Sequence, residues 1–522
     1  MKTLTVVSLA GVIAFGLPDA LTAQNTNSGT TPDSAVSAVS DTLAVILMRA
    51  DGDSSVRDST QQQDTRSRDQ WGVAKNPMMA VGEILMVNAL VWGFNEYPRG
   101  ASFTQVNPRS WYNNLSGGWK WDDNHFSTNM FAHPVHGNFY YNAARSNGFN
   151  FWASVPFALL GSGFWECCGE THSPAINDWL STSISGSIIG ETLYRISSSI
   201  LDNEATGSER VWREIGAAAL NPVRGFSRLT DGRMTGTSPN PERREEWRPA
   251  RIDHTLSMGV RRVLDQGALE ETDNTTGFVL FDYRYGDPFE AGVKPFDYFR
   301  MQFQLNSRDK QVIGRWQIRG ILANTVLKES PSHRMILGAT LNYDYINNNA
   351  LEFGGNDVTG SLASIWRLSS KFSLAAELGL VAQIFGAVNS EFAFIVETPG
   401  QERLREYDFG VGGGGRAGLT VFWSGREFIS AQYRFLFLHA LNGATGTLPE
   451  IGEINADHRL QALVASVKVP VVGKFGLGAN FTWYHRRTDN NNDQLEIVTQ
   501  RVREARLFVT WELSLSGEPG NN

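Results

Sequence analysis

The chain has 522 residues, of which 41% are hydrophobic and 19% charged, with a formal net charge of -8. This length allows a large core and more than one domain, and an acidic balance without a basic patch excludes a nucleic-acid partner. Only Cys167 and Cys168 occur, adjacent in sequence, where disulfide geometry is hard to meet, so no disulfide framework is expected.

The N-terminus, MKTLTVVSLAGVIAFGLPDALTAQ, carries Lys2, an apolar run from Leu4 to Leu17 and small residues around Ala20 and Ala23. The run is shorter than the roughly 20 residues of a bilayer span, and residues 1–23 read as a secretory signal peptide. Residues 24–70, rich in Ser, Thr, Asp and Gln, read as a disordered polar tether.

Residues 71–233 read as an apolar helical domain. In NPMMAVGEILMVNALVWGFNEY, Asn76 is the cap and Pro77 the first helical residue. The span from Met78 to Phe94 is interrupted by Glu83 and Asn88, which favours a buried or interfacial helix over a bilayer span. GFNFWASVPFALLGSGFWECCGE and INDWLSTSISGSIIGETLYRISSSIL read as further greasy helices with isolated carboxylates. Thr182, Gly186 and Gly190 recur at four-residue spacing, which lets another helix backbone approach closely.

The candidate site lies in this domain. In HPVHGNFYYNAARSNG, Pro134 opens a helix that carries His133, His136, Tyr140 and Arg145, and Glu166 and Glu170, four apart, face one side of the next. If His133, His136, Glu166 and Glu170 converge, they form an acid/base set, because His titrates near neutrality and a buried Glu is tuned towards it. Tyr140, Arg145, Asp178, Glu191 and Arg195 would support them. The opposing expectation is that these groups pair between helices, since an unpaired polar group in a greasy bundle costs roughly a few kcal/mol. His133-Pro-Val-His136 lacks the Glu of a zinc-protease helix, so neither metal nor cofactor is expected.

The run HPVHGNFYYNAARSNGFNF, followed by GSGFWECCGE, SPAINDW, TSISGSIIGETLYRIS and NPVRGFSRL, resembles the family of bacterial proteins classed as domain of unknown function 3943, over about residues 71–233. The resemblance implies an envelope or outer-membrane location and no particular reaction.

Residues 234–250, rich in Pro, Gly and charge, read as a linker at the periplasmic mouth of a barrel. From 251 to 515 the pattern turns to period two, with residues 516–522 as a tail. Phe299, Met301, Phe303 and Leu305 alternate with Tyr298, Arg300, Gln302 and Gln304, and Leu507, Val509, Trp511 and Leu513 with Arg506, Thr510 and Glu512. Tight turns at LSSK, WSGR and PVVG alternate with long polar connections at INNNALEFGGNDVTG, HALNGATGTLPEIGEINADH and HRRTDNNNDQLEIVTQ. The expectation is an α+β chain: an apolar helical domain, then an antiparallel transmembrane β-barrel of about 12 strands. Arg300, Arg315, Arg319 and Arg434 would face its lumen. Tyr285, Phe296, Trp366, Phe422, Trp423, Trp483 and Tyr484 would form interfacial girdles.

Two functions are compatible with this architecture. One is an outer-membrane barrel with a periplasmic or membrane-interfacial helical domain, acting in envelope organisation or passage of a solute or lipid. The other is a membrane-interface hydrolase or transferase using the His/Glu set on an envelope substrate. Outer-membrane lipid is the expected partner, with the barrel assembly machinery during biogenesis.

Overall fold

The computed structural model describes residues 71–241, 249, 251–264, 275–290, 292–307, 311–390, 405–443, 447–448, 452–453, 455–491 and 496–513. The expected signal peptide, tether and tail lie outside these, as does most of 242–250 in the expected linker. The chain divides into two compact units, Met1–Arg248 and Pro249–Asn522.

In the first unit, α1 (Pro77–Glu96) begins with the Met79 N–H donating to Asn76 Oδ1 at 3.0 Å and Pro77 in the first turn. Then come α2 (Pro108–Ser116), α3 (His133–Ser146), α4 (Phe151–Phe164), α5 (Ile176–Leu180), α6 (Gly186–Ile200), α7 (Gly207–Leu220) and α8 (Pro222–Thr230). Wide π-helical turns at Thr128–Ala132, Trp165–Gly169 and Ser181–Ser185 join several of them.

The centre is the crossing of α3 and α6, both buried along most of their length. A Cβ on Gly137 would lie 1.7 Å from the Thr182 carbonyl oxygen, and one on Gly186 2.6 Å from the Gly137 Cα, so neither position has room for a side chain. Around this centre, beside the buried Ala80, Ile84 and Val87 of α1 and Phe151 of α4, polar residues are also buried and apolar ones exposed. α1 buries Glu83, Asn88 and Asn95 while exposing Met78, Leu85, Leu90 and Phe94. α4 buries Ser154, Ala158, Gly161 and Ser162 while exposing Leu160 and Phe164. A helix on a water-soluble core does the reverse. α1 is also long and apolar enough, at mean hydropathy 1.5, to cross a membrane by length and composition.

The second unit is a closed antiparallel barrel. Its strands are β1 (Ile252–Val263), β2 (Thr275–Tyr285), β3 (Phe299–Asn306), β4 (Ile313–Ser330), β5 (His333–Asn348), β6 (Leu351–Arg367), β7 (Phe372–Asn389), β8 (Tyr407–Trp423), β9 (Arg426–Asn442), β12 (Ala456–Val472), β13 (Phe475–Asn490) and β14 (Val498–Glu512). A two-residue hairpin, β10 (Thr447–Leu448) with β11 (Gly452–Glu453), sits between β9 and β12. Each barrel strand pairs with its neighbours in chain order, and β14 returns to β1, from Thr255 opposite Glu512 to Val263 opposite Glu504. Closure leaves the barrel no unpaired edge.

The expected WSGR turn is a tight hairpin in which Ser424 (φ 50) and Gly425 (φ 78) are both left-handed, as the favoured two-residue turn requires. Two other expectations are corrected. INNNALEFGGNDVTG is not a long loop: β5 and β6 run through it and meet across Asn349 and Ala350. Asn348 accepts from Arg261 and Asp357 pairs with Arg434 across the barrel, so polarity there does not mark a loop. PVVG belongs mostly to β12, with a bulge between Pro470 and Val472 that accommodates the proline. The outward residues Met258, Val260, Leu362, Leu378, Leu380, Leu419, Leu477, Leu507 and Val509 are exposed. Phe299, Met301, Phe303, Trp316 and Ile318 are instead buried, with Phe303 and Tyr343 each meeting Trp316 edge-on.

Gly137→Ala is expected to destabilise the helical unit at or above the upper end of the roughly 1–3 kcal/mol typical of overpacking. Gly82, in α1 with open space where a Cβ would go, is the control: Gly82→Ala should gain up to about 1 kcal/mol. Near-ultraviolet circular dichroism on heating reads both. Equal behaviour of the two variants would show that the α3–α6 crossing is not the tight point.

Candidate functional site

The residues singled out in the helical unit fall into three groups. In the first, His133 Nε2 stands 3.5 Å from Asp178 Oδ2, and Asp178 Oδ1 accepts from Asn177 Nδ2 at 2.7 Å. One turn on, His136 Nε2 lies 2.8 Å from the Tyr140 hydroxyl, which donates to Asn88 Oδ1 on α1. With the phenol proton committed to Asn88, His136 is the donor to Tyr140. Burial lowers His133 to about 4, and burial with the neighbouring His133 lowers His136 to about 3, so both imidazoles are neutral at pH 7.

The second group is the turn Trp165–Gly169 with Glu170. Glu166 Oε2 accepts the Ala175 N–H at 2.8 Å. Burial raises Glu166 to about 8, with nearby Asp122 adding to the shift. Glu170 is raised well above the carboxylate range by burial, then by Glu166 and Asp122. Side chains of α2 clasp this turn: Trp111 Nε1 donates to the Cys168 carbonyl at 3.0 Å and Asn114 Nδ2 to the Glu170 carbonyl at 2.9 Å. Cys167 and Cys168 are joined here as an adjacent-residue disulfide with Cα atoms 3.8 Å apart, a geometry that is hard for sequence neighbours to meet. His136 touches this group through Trp165, whose ring it meets edge-on at 5.5 Å.

The third group stands apart from the first two. Glu191 accepts from Arg145 Nε and Arg195 Nε at 2.8 Å each and from the Tyr141 hydroxyl at 2.7 Å. Burial would raise its pKa, but the two guanidiniums hold it below the usual range. Arg145, Glu191 and Arg195 therefore do not join the His/Glu set. Among the described residues no three His, Cys, Asp or Glu side chains are arranged to hold a metal ion. Asn88, Asn114, Asp122 and Tyr141 are the partners the sequence reading missed. Asn88 had a signal, as a lone amide in an apolar helix; Asn114 and Asp122, in polar stretches, had none.

In the barrel a cavity of about 830 Å³ occupies the lumen, and Arg300, Arg315, Arg319 and Arg434 all line it. Twelve arginines and lysines line it against six aspartates and glutamates. Most of the cations are paired: Arg300 Nε with Asp282 at 2.9 Å, Arg434 with Asp357 at 3.0 Å and with Asp344, Arg416 with Glu377 at 2.6 Å, and Lys468 with Glu427 at 3.4 Å. Tyr484 and Phe422, expected in the girdles, line the lumen instead.

Residues 118–223 match the family model described as domain of unknown function (DUF3943). The matched DUF3943 segment runs from just after α2 into the start of α8, and so contains all three polar groups apart from Asn88, Trp111 and Asn114. No curated protein matches the chain in sequence. Among solved structures the chain is similar to the NanC porin (8% identity, 49% of this chain and 100% of that one, TM-score 0.25). It is also similar to the COG4313 outer membrane channel from Pseudomonas putida F1 (11%, 50% and 96%, TM-score 0.26) and to the outer membrane channel DcaP of Acinetobacter baumannii (6%, 50% and 96%, TM-score 0.21).

These shifts have opposite consequences for stability. His133 and His136 titrate below the unfolded value of 6.5, so the stability they contribute is present above that pH and lost as pH falls through about 4 and then 3. Glu166 is the reverse: its contribution is complete below 4.5 and lost as pH rises through about 8. Thermal unfolding of the helical unit across this range should show both limbs, and Glu166→Gln should reduce only the alkaline one, to which the buried Glu83 and Glu170 also contribute. A variant with an unaltered alkaline limb would remove Glu166 as its source.

Proposed function

We propose that the chain is an outer-membrane barrel protein whose lumen takes in small anionic solutes, with its helical unit on the periplasmic side at the membrane interface. The observation that carries this reading is the contrast between the two faces of the same strands. Outward, exposed aliphatic side chains such as Leu378, Leu380, Leu477 and Leu507 suit hydrocarbon. Inward, twelve cations and six acids touch the cavity, with Asp344, Asp357 and Glu504 behind Arg434 and Arg506, which leaves an excess of cations in a chain whose formal net charge is -8. A lumen lined by an excess of one sign concentrates ions of the other.

Strands such as β4, β7 and β8, with 18, 18 and 17 residues, exceed the roughly 9–11 that cross a bilayer, so the wall extends beyond the hydrocarbon. Turns such as Ser424–Gly425 mark the periplasmic end by the rule that short turns face that side. β1 begins at that end, since Ile252 pairs with Tyr285 at the close of β2, and the residues before β1 would share the compartment. The apolar exterior of α1, α2 and α4, with Trp111, Tyr112 and Leu115 exposed on α2, supports an interfacial position. Outer-membrane lipid is then the partner of both units, and insertion would call on the barrel assembly machinery. The His133–Glu170 set is assigned no reaction, because three of its four side chains are engaged by groups on other elements: His133 by Asp178, His136 through Tyr140 by Asn88, and Glu166 by the Ala175 N–H.

Conductance of the purified chain in planar bilayers tests the passage. The expected channel carries chloride in preference to potassium. A closed barrel, or one that prefers cations, would overturn the reading.

A further inference from the structure

The lumen changes character along its length. Ile346, Leu351, Phe353, Leu436 and Leu460 line the same cavity as the arginines. Phe353 and Leu436 belong to an apolar cluster with Val381, Val388 and Leu438, against which Leu351 and Leu460 pack. Leu351 also packs on a second cluster, Val263, Ala350, Tyr484 and Val502. A water-filled polar pore has no need of such a surface, since each square ångström left wet forgoes about 25 cal/mol of burial. Where cationic and apolar regions meet, the Arg434 guanidinium lies over the Phe353 ring, 5.4 Å from its centroid.

Two lumen cations differ from their neighbours, and one of them, Arg319, has Arg434 of this seam among the charges around it. Arg300, Arg416 and Arg434 each have a carboxylate partner. Arg319, on β4, has no hydrogen-bond or ion-pair partner among the described residues, although Arg416, Arg434, Glu377 and Asp344 are the charged groups around it. Arg315, on the same face of β4, reaches only the Tyr484 hydroxyl, at 3.4 Å, and its buried Nε is unmet. An unpaired guanidinium in a partly enclosed site is costly to hold and is well suited to a planar anionic head group.

We propose that this seam is a binding site for a small amphipathic anion, with a carboxylate or similar head on Arg319 and an apolar body against Phe353, Leu351 and Leu436. A cavity of about 830 Å³ is in the range that accepts drug-sized molecules. The proposal deepens the reading of the lumen as an anion path and rests on it for access.

The test is calorimetric titration of the full chain in phosphatidylcholine nanodiscs, with empty nanodiscs subtracted and folding confirmed by heat-modifiable gel mobility. The probes are 2-naphthoate, the uncharged 2-naphthamide, and acetate. Naphthoate is expected to bind at least about tenfold more tightly than either, because one loses the charged hydrogen bond and the other the apolar body. Arg319→Gln should abolish the preference for naphthoate over naphthamide, and Arg319→Lys should restore part of it. Equal binding of naphthoate and naphthamide, an unchanged preference in Arg319→Gln, or no naphthoate binding above empty nanodiscs would each overturn the site. Absent naphthoate binding with chloride-selective conductance removes the seam site and leaves the passage reading standing. Naphthoate binding in a chain that does not conduct supports the site and removes the passage.

Discussion

Everything in the second unit depends on one constraint, the return of β14 to β1. Once Val263 is held opposite Glu504 and Thr255 opposite Glu512, every strand has a neighbour on both sides and alternate residues must point into a common lumen. Charges far apart in sequence are thereby brought together: Arg261 with Glu504, Arg284 with Glu427, Arg434 with both Asp344 and Asp357. Their pairing is a consequence of closure, since carboxylates and guanidiniums partly withdrawn from water are less costly to hold when matched. The cationic excess is what remains after the matching.

The helical unit meets a related constraint with the opposite geometry. Its polar groups are collected at the centre, where Glu191 takes Arg145 and Arg195, and Tyr194 lies between the guanidiniums of Arg145 and Arg224, each 4.1 Å from its ring centroid. This packing needs α3 and α6 to approach until no side chain fits at Gly137 or Gly186. With most of its buried polar groups bonded to one another, the unit can present Leu90, Phe94, Leu160 and Phe164 outward. Polar satisfaction inside and apolar surface outside are two aspects of one arrangement suited to lipid.

Much of the fold was legible because its periods are local. Alternation every second residue located the strands, Asn76-Pro77 the start of α1, and the Thr182, Gly186, Gly190 spacing the face of α6 that meets α3. What could not be read depends on where a residue points after closure. The Asn-rich stretch from Ile346 looked like a loop because polarity marks loops and lumen walls alike. Tyr484 looked like a girdle residue, yet it faces inward beside Arg315. In the helical unit, spacing suggested that Glu166 and Glu170 are neighbours, but nothing in the sequence announced Asp122 beside them or Asn114 against their turn. The Cys167–Cys168 bond was not legible because disulfide geometry is hard for sequence neighbours to meet, whereas the wide turn Trp165–Gly169 holds the two thiols together.

The pattern of partnered and unpartnered polar groups separates scaffold from site. His136 is tied through Tyr140 to Asn88 on α1, and Glu166 to the Ala175 N–H ahead of α5, contacts that fix how one helix lies on another. A group committed in this way has little freedom to exchange its partner for a substrate. Arg300 and Arg416 are similarly committed within the barrel wall. Arg319 carries the same charge and lines the same cavity as Phe353 and Leu436, without an ion pair of its own among the described residues. The titratable groups of the DUF3943-like segment are thus largely committed between helices, and the chemistry left open to a ligand lies in the lumen.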